Sequence, residues 1–183
     1  MSEWTVAWAT AGPPLLRVDE CRNEAGRTEY SVVAQNGIPG VVVVARHATS
    51  IAFVRQYRRT VGEELLELPR GFGEASDFLP GAGQDAGAGR AAERELAEET
   101  GLRLEDAHTV GRIFPDTGLL RGAVDVVAGE VSDLTAGATD GEVSALVWLS
   151  PAEVGRLIAD GRLCDGISLA ALALCLLRPA AGE

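Results

Sequence analysis

Histidine, cysteine and cationic side chains are all scarce in this sequence. It has two histidines and three cysteines among 183 residues, and 16 lysines and arginines against 27 aspartates and glutamates. A formal net charge of -11 argues against a protein that grips nucleic acid through phosphate contacts. An acidic chain can still bind a phosphorylated metabolite if divalent cations screen the two. Cys21, Cys164 and Cys175 are odd in number, widely spaced and without histidines at metal-ligand spacing, so they read as reduced thiols. His47 and His108 stand far apart and read as surface or packing residues. Long apolar runs are missing too: the stretch 167–177 is too short to cross a bilayer of ~30 Å. Glu3 sits where a secretory leader would be basic, and no apolar run follows. These absences lead us to expect a soluble, cytoplasmic protein. No internal repeat is visible.

Glycine and aliphatic residues are what the chain does have. Hydrophobic residues make up 46% of it and 22 residues are glycine, enough for one well-packed domain with many turns. The first third reads as strands at 15–19, 30–34, 41–45, 51–57 and 64–68, the first two flanking the turn Asn23-Glu24-Ala25-Gly26. Pro69 ends that series. Residues 71–90 are glycine-punctuated and read as loop. A helix is expected over 90–99, stopped by Gly101 in the position a left-handed C-cap favours. Further strands are expected at 109–114, 122–131 and 144–149. Ser150, Pro151 and Glu153 form a capping-box helix start, Gly161 closes that helix, and a last apolar helix covers 167–177. Strands interspersed with a few helices predict a mixed α/β fold, a sheet covered by helices.

The informative segment is Arg94-Glu95-Leu96-Ala97-Glu98-Glu99-Thr100-Gly101-Leu102. On a helix, Glu95, Glu98 and Glu99 are three and four residues apart, so their carboxylates converge on one face. They also crowd the last turn, where the helix dipole disfavours negative charge. Each effect costs about 0.3 kcal/mol when exposed. Bound Mg²⁺ or Mn²⁺ would turn that conflict into an attraction, because hard carboxylate oxygens suit hard cations. Arg94 can reach Glu98 at i+4 and hold it. A solvated, salt-bridged helix face is the competing account of a bare glutamate cluster.

This segment resembles the second half of the Nudix box, whose pattern is G-x5-E-x7-R-E-U-x-E-E-x-G-U with U aliphatic. Arg94, Glu95, Leu96, Glu98, Glu99, Gly101 and Leu102 match every fixed position of that half. The resemblance implies a Nudix α/β/α sandwich, metal binding by Glu95, Glu98 and Glu99, and Arg94 as the residue that orients a glutamate. It places Arg94 and Glu98 in the catalytic group. The first half departs from the pattern: counted forward from Gly71, Asp77 takes the glutamate position, with sixteen residues before Arg94 where the box has seven. The box's first acid is therefore open between Asp77 and Glu74. The surplus reads as a mobile glycine-rich insertion around 77–89. Within it, Gly81-Ala82-Gly83-Gln84-Asp85-Ala86 nearly matches a dinucleotide fingerprint, but no strand precedes it as that motif requires.

Val54-Arg55-Gln56-Tyr57-Arg58 and Glu64-Leu65-Leu66-Glu67-Leu68-Pro69-Arg70-Gly71 are similar to the run ahead of the box in ADP-ribose pyrophosphatases. That likeness implies Arg58 and Glu67 as substrate-binding residues, Arg58 on the diphosphate, and the backbone carbonyl of Arg70 as a metal ligand. Solvation at a strand edge is the plainer account of Arg55, Arg58 and Arg59. Phe114-Pro115-Asp116-Thr117-Gly118 stands where those enzymes carry Ser-Pro-Gly after an aromatic residue, so only part of the ADP-ribose signature survives. Trp4 and Trp8 are candidates to stack on a base, or simply packing residues. The expected reaction is Mg²⁺-dependent hydrolysis (Mn²⁺ as substitute) of a nucleoside diphosphate linked to another group. ADP-ribose giving AMP and ribose 5-phosphate comes first. A GDP- or UDP-sugar pyrophosphatase is second, and a non-cutting Nudix-fold nucleotide sensor is the reading from another class. With histidine so scarce the base should be a carboxylate; the likeness to ADP-ribose pyrophosphatases implies one on the loop before a late strand, here Glu142 first and Asp140 second, ahead of the strand at 144–149. Resemblance also implies a homodimer built through residues 1–37, an N-terminal β extension, with the catalytic domain at 38–183.

Overall fold

In the computed structural model, which describes residues 3–13, 15–81, 83–134 and 143–177, the runs of strand formers fall into two sheets. The first is antiparallel and three-stranded: β1 (Thr5–Ala9), β2 (Leu16–Arg22) and β3 (Thr28–Ala34). The second contains β4 (Gly40–His47), β5 (Ser50–Arg58), β6 (Glu63–Glu67), β7 (Arg70–Phe72), β8 (Glu105–Ile113), β9 (Val124–Glu130) and β10 (Val143–Leu149). Its order is β10-β5-β4-β9-β8, with β6 paired to β5 and β7 to β4. The β4–β9 pair is parallel and the others are antiparallel, so the sheet is mixed.

The valine run of β4 explains the layering. Side chains alternate along a strand, and Val41 to Ala45 are all buried, so both faces of β4 need cover. Val41 and Val43 pack with Ala88, Ala91, Ala92 and Leu96 of α1 (Gly83–Thr100). Val42 and Val44 pack with Phe53, Leu68 and, from α3 (Gly166–Leu177), Ala171 and Leu172. α2 (Pro151–Ala159) adds Val154 to that second core. Each fully buried valine is worth about 1.5–3 kcal/mol relative to exposure. The result is the expected α/β/α sandwich.

The capping box at Ser150 forms as anticipated: the Glu153 amide donates to Ser150 Oγ, and the Ser150 amide donates to Glu153 Oε2 at 2.8 Å. Gly101 takes φ +71°, and its amide closes α1 by donating to Ala97. Among the described residues no helix is long and apolar enough to cross a membrane. The three cysteines are free thiols. His47 meets Trp148 edge-on and bonds the Val131 carbonyl, while His108 lies beside the Asp106 carbonyl.

Two expectations need correction, and one strand was not foreseen. The glycine-rich stretch is not all loop: α1 begins at Gly83, not residue 90. Gly87 and Ala88 are buried there, because the Phe78 ring lies where a side chain on residue 87 would go. Glycine lowers helix propensity, but packing of one bare face overrides it. Pro69 does not end the strand series either. Its carbonyl accepts the Val43 amide at 2.8 Å, and β7 follows it against β4. β1, which lacked a clean alternating pattern, also went unanticipated.

Two glycine substitutions should therefore move stability in opposite directions. Gly87→Ala would drive a methyl into the Phe78 ring and is expected to cost about 1–3 kcal/mol. Gly89→Ala meets nothing within 4 Å and should gain about 0.5–1 kcal/mol from helix propensity alone. Thermal unfolding of both single variants checks this, and equal shifts of one sign would contradict the packing described.

Candidate metal and diphosphate site

The C-terminal half of α1 lays its acids beside β7. A Cβ on Gly71 would overlap the Glu95 carboxylate, so only glycine allows the helix side chain to lie on that strand. One residue earlier, the Arg70 amide donates to Glu99 Oε2 at 3.2 Å. Glu95 and Glu99 thus converge on the consecutive residues Arg70 and Gly71. Glu99 is buried, whereas the Glu98 side chain is half exposed.

Arg94 organises the acids. Its Nη1 donates to Glu95 Oε1 at 2.9 Å and Glu98 Oε2 at 3.0 Å; its Nη2 donates to the Phe72 carbonyl at 2.9 Å and Asp77 Oδ2 at 3.1 Å. Asp77 is buried and also accepts the Glu74 amide at 2.8 Å. Of the two acids left open, Asp77 is therefore the one that meets the arginine; Glu74 turns to Ser76. Burial alone would lower the Arg94 pKa, but the hydrogen bond with Asp77 and the charge of Glu95 outweigh it and hold the guanidinium above its ordinary value.

Glu95 is strained the other way. Burial raises its pKa, and the Arg94 charge and hydrogen bond oppose this without cancelling it. An acid whose folded pKa lies above its unfolded value stabilises the fold below the unfolded pKa and loses that contribution as pH rises through the folded one. Without metal, Glu95→Gln should therefore raise Tm at pH 7–8, and the advantage should fade as pH drops to about 4.5 and below, where the native acid is protonated too. Melting curves in chelator across that range check it; an advantage that grew toward acid pH would reverse the assignment.

Among the described residues, no three histidine, cysteine, aspartate or glutamate side chains are grouped so as to hold a metal ion as they stand. The donor set nevertheless fits a hard divalent cation: carboxylate oxygens, two of them converging on one turn of backbone, and a third on an exposed side chain free to rotate. Arg94 and the Arg70 amide occupy positions of opposite polarity to the acids until a cation competes for them.

Behind these residues lies a second ionic chain. Glu67 is fully buried; its Oε1 accepts from Arg58 Nε at 3.0 Å, and its Oε2 accepts from Arg58 Nη2 at 2.5 Å and Arg70 Nη2 at 2.8 Å. The hydrogen bond and charge of Glu67 hold the Arg58 pKa above its usual value against desolvation. Arg70 Nη1 donates to both Asp165 oxygens at 3.0 Å, and Asp165 Oδ2 accepts the Ser168 amide and hydroxyl. The sequence carried a signal for Asp165 that went unread: Asp-Gly-Ile-Ser before an apolar helix is an N-cap pattern. The sequence contains no lysine, so every cation here is a guanidinium, able to grip two acceptors at once.

Arg58, Arg70 and Gly71 also line a cavity of about 460 Å³. Ile38, Leu120 and Arg121 contribute to its far wall. Arg121 joins the two sheets: its Nη1 meets Asp19 Oδ2 at 3.1 Å, its guanidinium lies 4.3 Å from the Trp4 ring centroid, and its amide donates to the Val32 carbonyl at 2.8 Å. One face of Trp4 is thus already covered from within the chain, while Trp8 is exposed on β1. Asp116 Oδ1 accepts the Gly118 and Leu119 amides, so the Phe114–Gly118 segment is a tight turn beside this cavity. Glu142 and Asp140 lie outside the described residues.

No curated protein matches the chain. Among solved structures it is similar to the crystal structure of an ADP compounds hydrolase, with TM-score 0.67 and 17% identity over 95% of this chain and 92% of that one. At that identity the likeness establishes the fold. The model of the NUDIX domain matches residues 37–171, spanning the acids on α1, the ionic chain behind them and the sheet that carries both. The chain belongs to the Nudix family.

Proposed function

We propose that this chain hydrolyses the diphosphate of a nucleoside diphosphate linked to a second group, with ADP-ribose first, which would give AMP and ribose 5-phosphate. The observation that carries the reading is the shared backbone. Arg70 and Gly71 meet the carboxylates of Glu99 and Glu95 and also line the guanidinium-bearing cavity. A diphosphate in that cavity would lie next to the acids. The similarity to an ADP compounds hydrolase favours the adenine nucleotide, and GDP- or UDP-sugars are the second choice.

Glu95 and Glu99, with Glu98 and the Arg70 carbonyl, would hold Mg²⁺ or Mn²⁺. Such a cation neutralises the diphosphate and lowers the pKa of a water. Arg94 keeps Glu95 and Glu98 in register. Arg58, oriented by Glu67, presents a fixed positive charge to the diphosphate. Glu142 is our choice of base and Asp140 the alternative; a base works best with a pKa near the operating pH. The homodimer implied by resemblance would be built through residues 1–37, where β1 is an edge strand exposed along its length.

A panel of ADP-ribose, GDP- and UDP-sugars assayed with Mg²⁺ and with chelator tests the reading. We expect Mg²⁺-dependent release of AMP from ADP-ribose. Binding without release of any monophosphate across the panel would instead make the chain a nucleotide sensor. The preparation used should sediment as a dimer, and a monomer at assay concentration would remove residues 1–37 from that role.

A further inference from the structure

We propose that Asp165 is a positioning residue for the metal-binding face, locking residues 68–70 to α3 so that Arg70 keeps hold of Glu99 and Glu67 together. This rests on Glu95 and Glu99 being the metal ligands, and its test is chosen to fail separately.

The main chain at this corner is paired edgewise to β4 through the Pro69 carbonyl and the Arg70–Val42 register, and its other ties run to a helix on each face of the sheet. Pro69 has no amide hydrogen. The Leu68 amide donates to Ser168 Oγ at 2.9 Å, and the Arg70 amide donates to Glu99. The corner is therefore strung between α3 on one face of the sheet and α1 on the other. Ser168 is fully buried, and its hydroxyl, which donates to Asp165 Oδ2 at 2.7 Å, is thereby oriented to accept from Leu68. Asp165 thus fixes the corner twice, through Ser168 to the Leu68 backbone and through Arg70 Nη1 to the Arg70 side chain.

Capping alone does not require an acid. The Ser168 amide bonds Asp165 Oδ2 at 2.8 Å, and asparagine would accept that bond about as well. The negative charge matters for Arg70. Glu67 and Asp165 carry two negative charges, Arg58 and Arg70 two positive ones, and Glu67 is wholly buried. Asparagine would leave Arg70 Nη1 one neutral acceptor where the carboxylate offers two charged ones, so the guanidinium is held toward α3 less tightly and leans on its bond to Glu67. One of the two ties that hold residue 70, whose amide faces Glu99, to the α3 side is thereby weakened.

The test compares Asp165→Asn, Asp165→Glu and Ser150→Ala. Ser150→Ala removes the cap of α2, away from the acids, and measures what loss of a helix cap does by itself. Mn²⁺ affinity is measured by calorimetry without substrate, alongside Tm and kcat/KM with Mg²⁺. We expect Asp165→Asn to lower Tm more than Ser150→Ala, since it also breaks a part-buried ion pair, and to weaken Mn²⁺ binding and kcat/KM by about 10-fold. Ser150→Ala should lower Tm with Mn²⁺ affinity unchanged. Asp165→Glu, which keeps the charge but caps poorly, should retain Mn²⁺ affinity within about threefold of wild type. If Asp165→Asn does not fold, that retention in Asp165→Glu decides, and a 10-fold loss there overturns the proposal. Unchanged Mn²⁺ affinity in a folded Asp165→Asn also overturns it. Wild-type protein that binds no Mn²⁺ overturns the metal-site reading itself.

Discussion

Glu99→Gln is expected to lower turnover by about 10³-fold while Tm in metal-free buffer stays level or rises. The two effects have separate causes. A cation bridging the diphosphate is worth several kcal/mol of transition-state stabilisation, and each ~1.4 kcal/mol is tenfold in rate. Glutamine keeps an oxygen but removes the charge that would hold the cation. The fold loses little, because the glutamine carbonyl can still accept the Arg70 amide that Glu99 Oε2 accepts at 3.2 Å. It gains relief from like-charge crowding, since residues 95 and 99 are one helical turn apart. Steady-state kinetics at saturating Mg²⁺ with a melting curve in chelator measure both. Near-native kcat would remove Glu99 from the metal set, and a large drop in Tm would make it a structural acid.

Much of the fold was legible because periodicity reports burial. The valine run from Val41 to Val44 could only be a strand covered on both faces, and the two cores on either side of β4 are that cover. The capping box at Ser150 was readable because its chemistry is local. Other features depended on partners distant in sequence. Gly83 to Gly89 looked like loop, since nothing local says that Phe78 will fill the space over Gly87. β7 was hidden by Pro69, whose missing amide is harmless where the strand turns between neighbours.

The site divides the same way. Glu95, Glu98 and Glu99 share a helix, so spacing alone put them on one face. Asp77 and Glu74 could not be separated by counting across an insertion, whereas in three dimensions only Asp77 comes within 3.1 Å of Arg94. Arg58 was expected at the diphosphate, yet its partner is Glu67, nine residues on in the facing strand β6, where the register sets Glu63 opposite Arg58 and Glu67 opposite Val54. Charge pairing across a hairpin is readable only once the register is known. Asp165 is farther still, 95 residues from the arginine it holds.

The second large effect is structural and falls on Arg94. Its guanidinium satisfies four acceptors, and two of them, Asp77 Oδ2 and the Phe72 carbonyl, belong to the segment before α1. Asp77 is only 6% exposed, so Arg94→Ala strands a buried carboxylate. Breaking a buried pair from one side costs about 3–5 kcal/mol; the arginine is itself 23% exposed, which places the expected loss near the lower end, about 3 kcal/mol. For a chain of this size that is roughly 6–12 °C in Tm. Arg94→Lys should recover little, since a point charge cannot span acceptors arranged for a planar fork. Adding Asp77→Asn to Arg94→Ala should restore part of the loss by removing the stranded charge, a coupling of about 1–2 kcal/mol in a double-mutant cycle. Strict additivity of the two substitutions would mean that Asp77 and Arg94 do not act on one another, and the tie between Asp77 and α1 would have to run through the Arg90 bond to the Asp77 carbonyl.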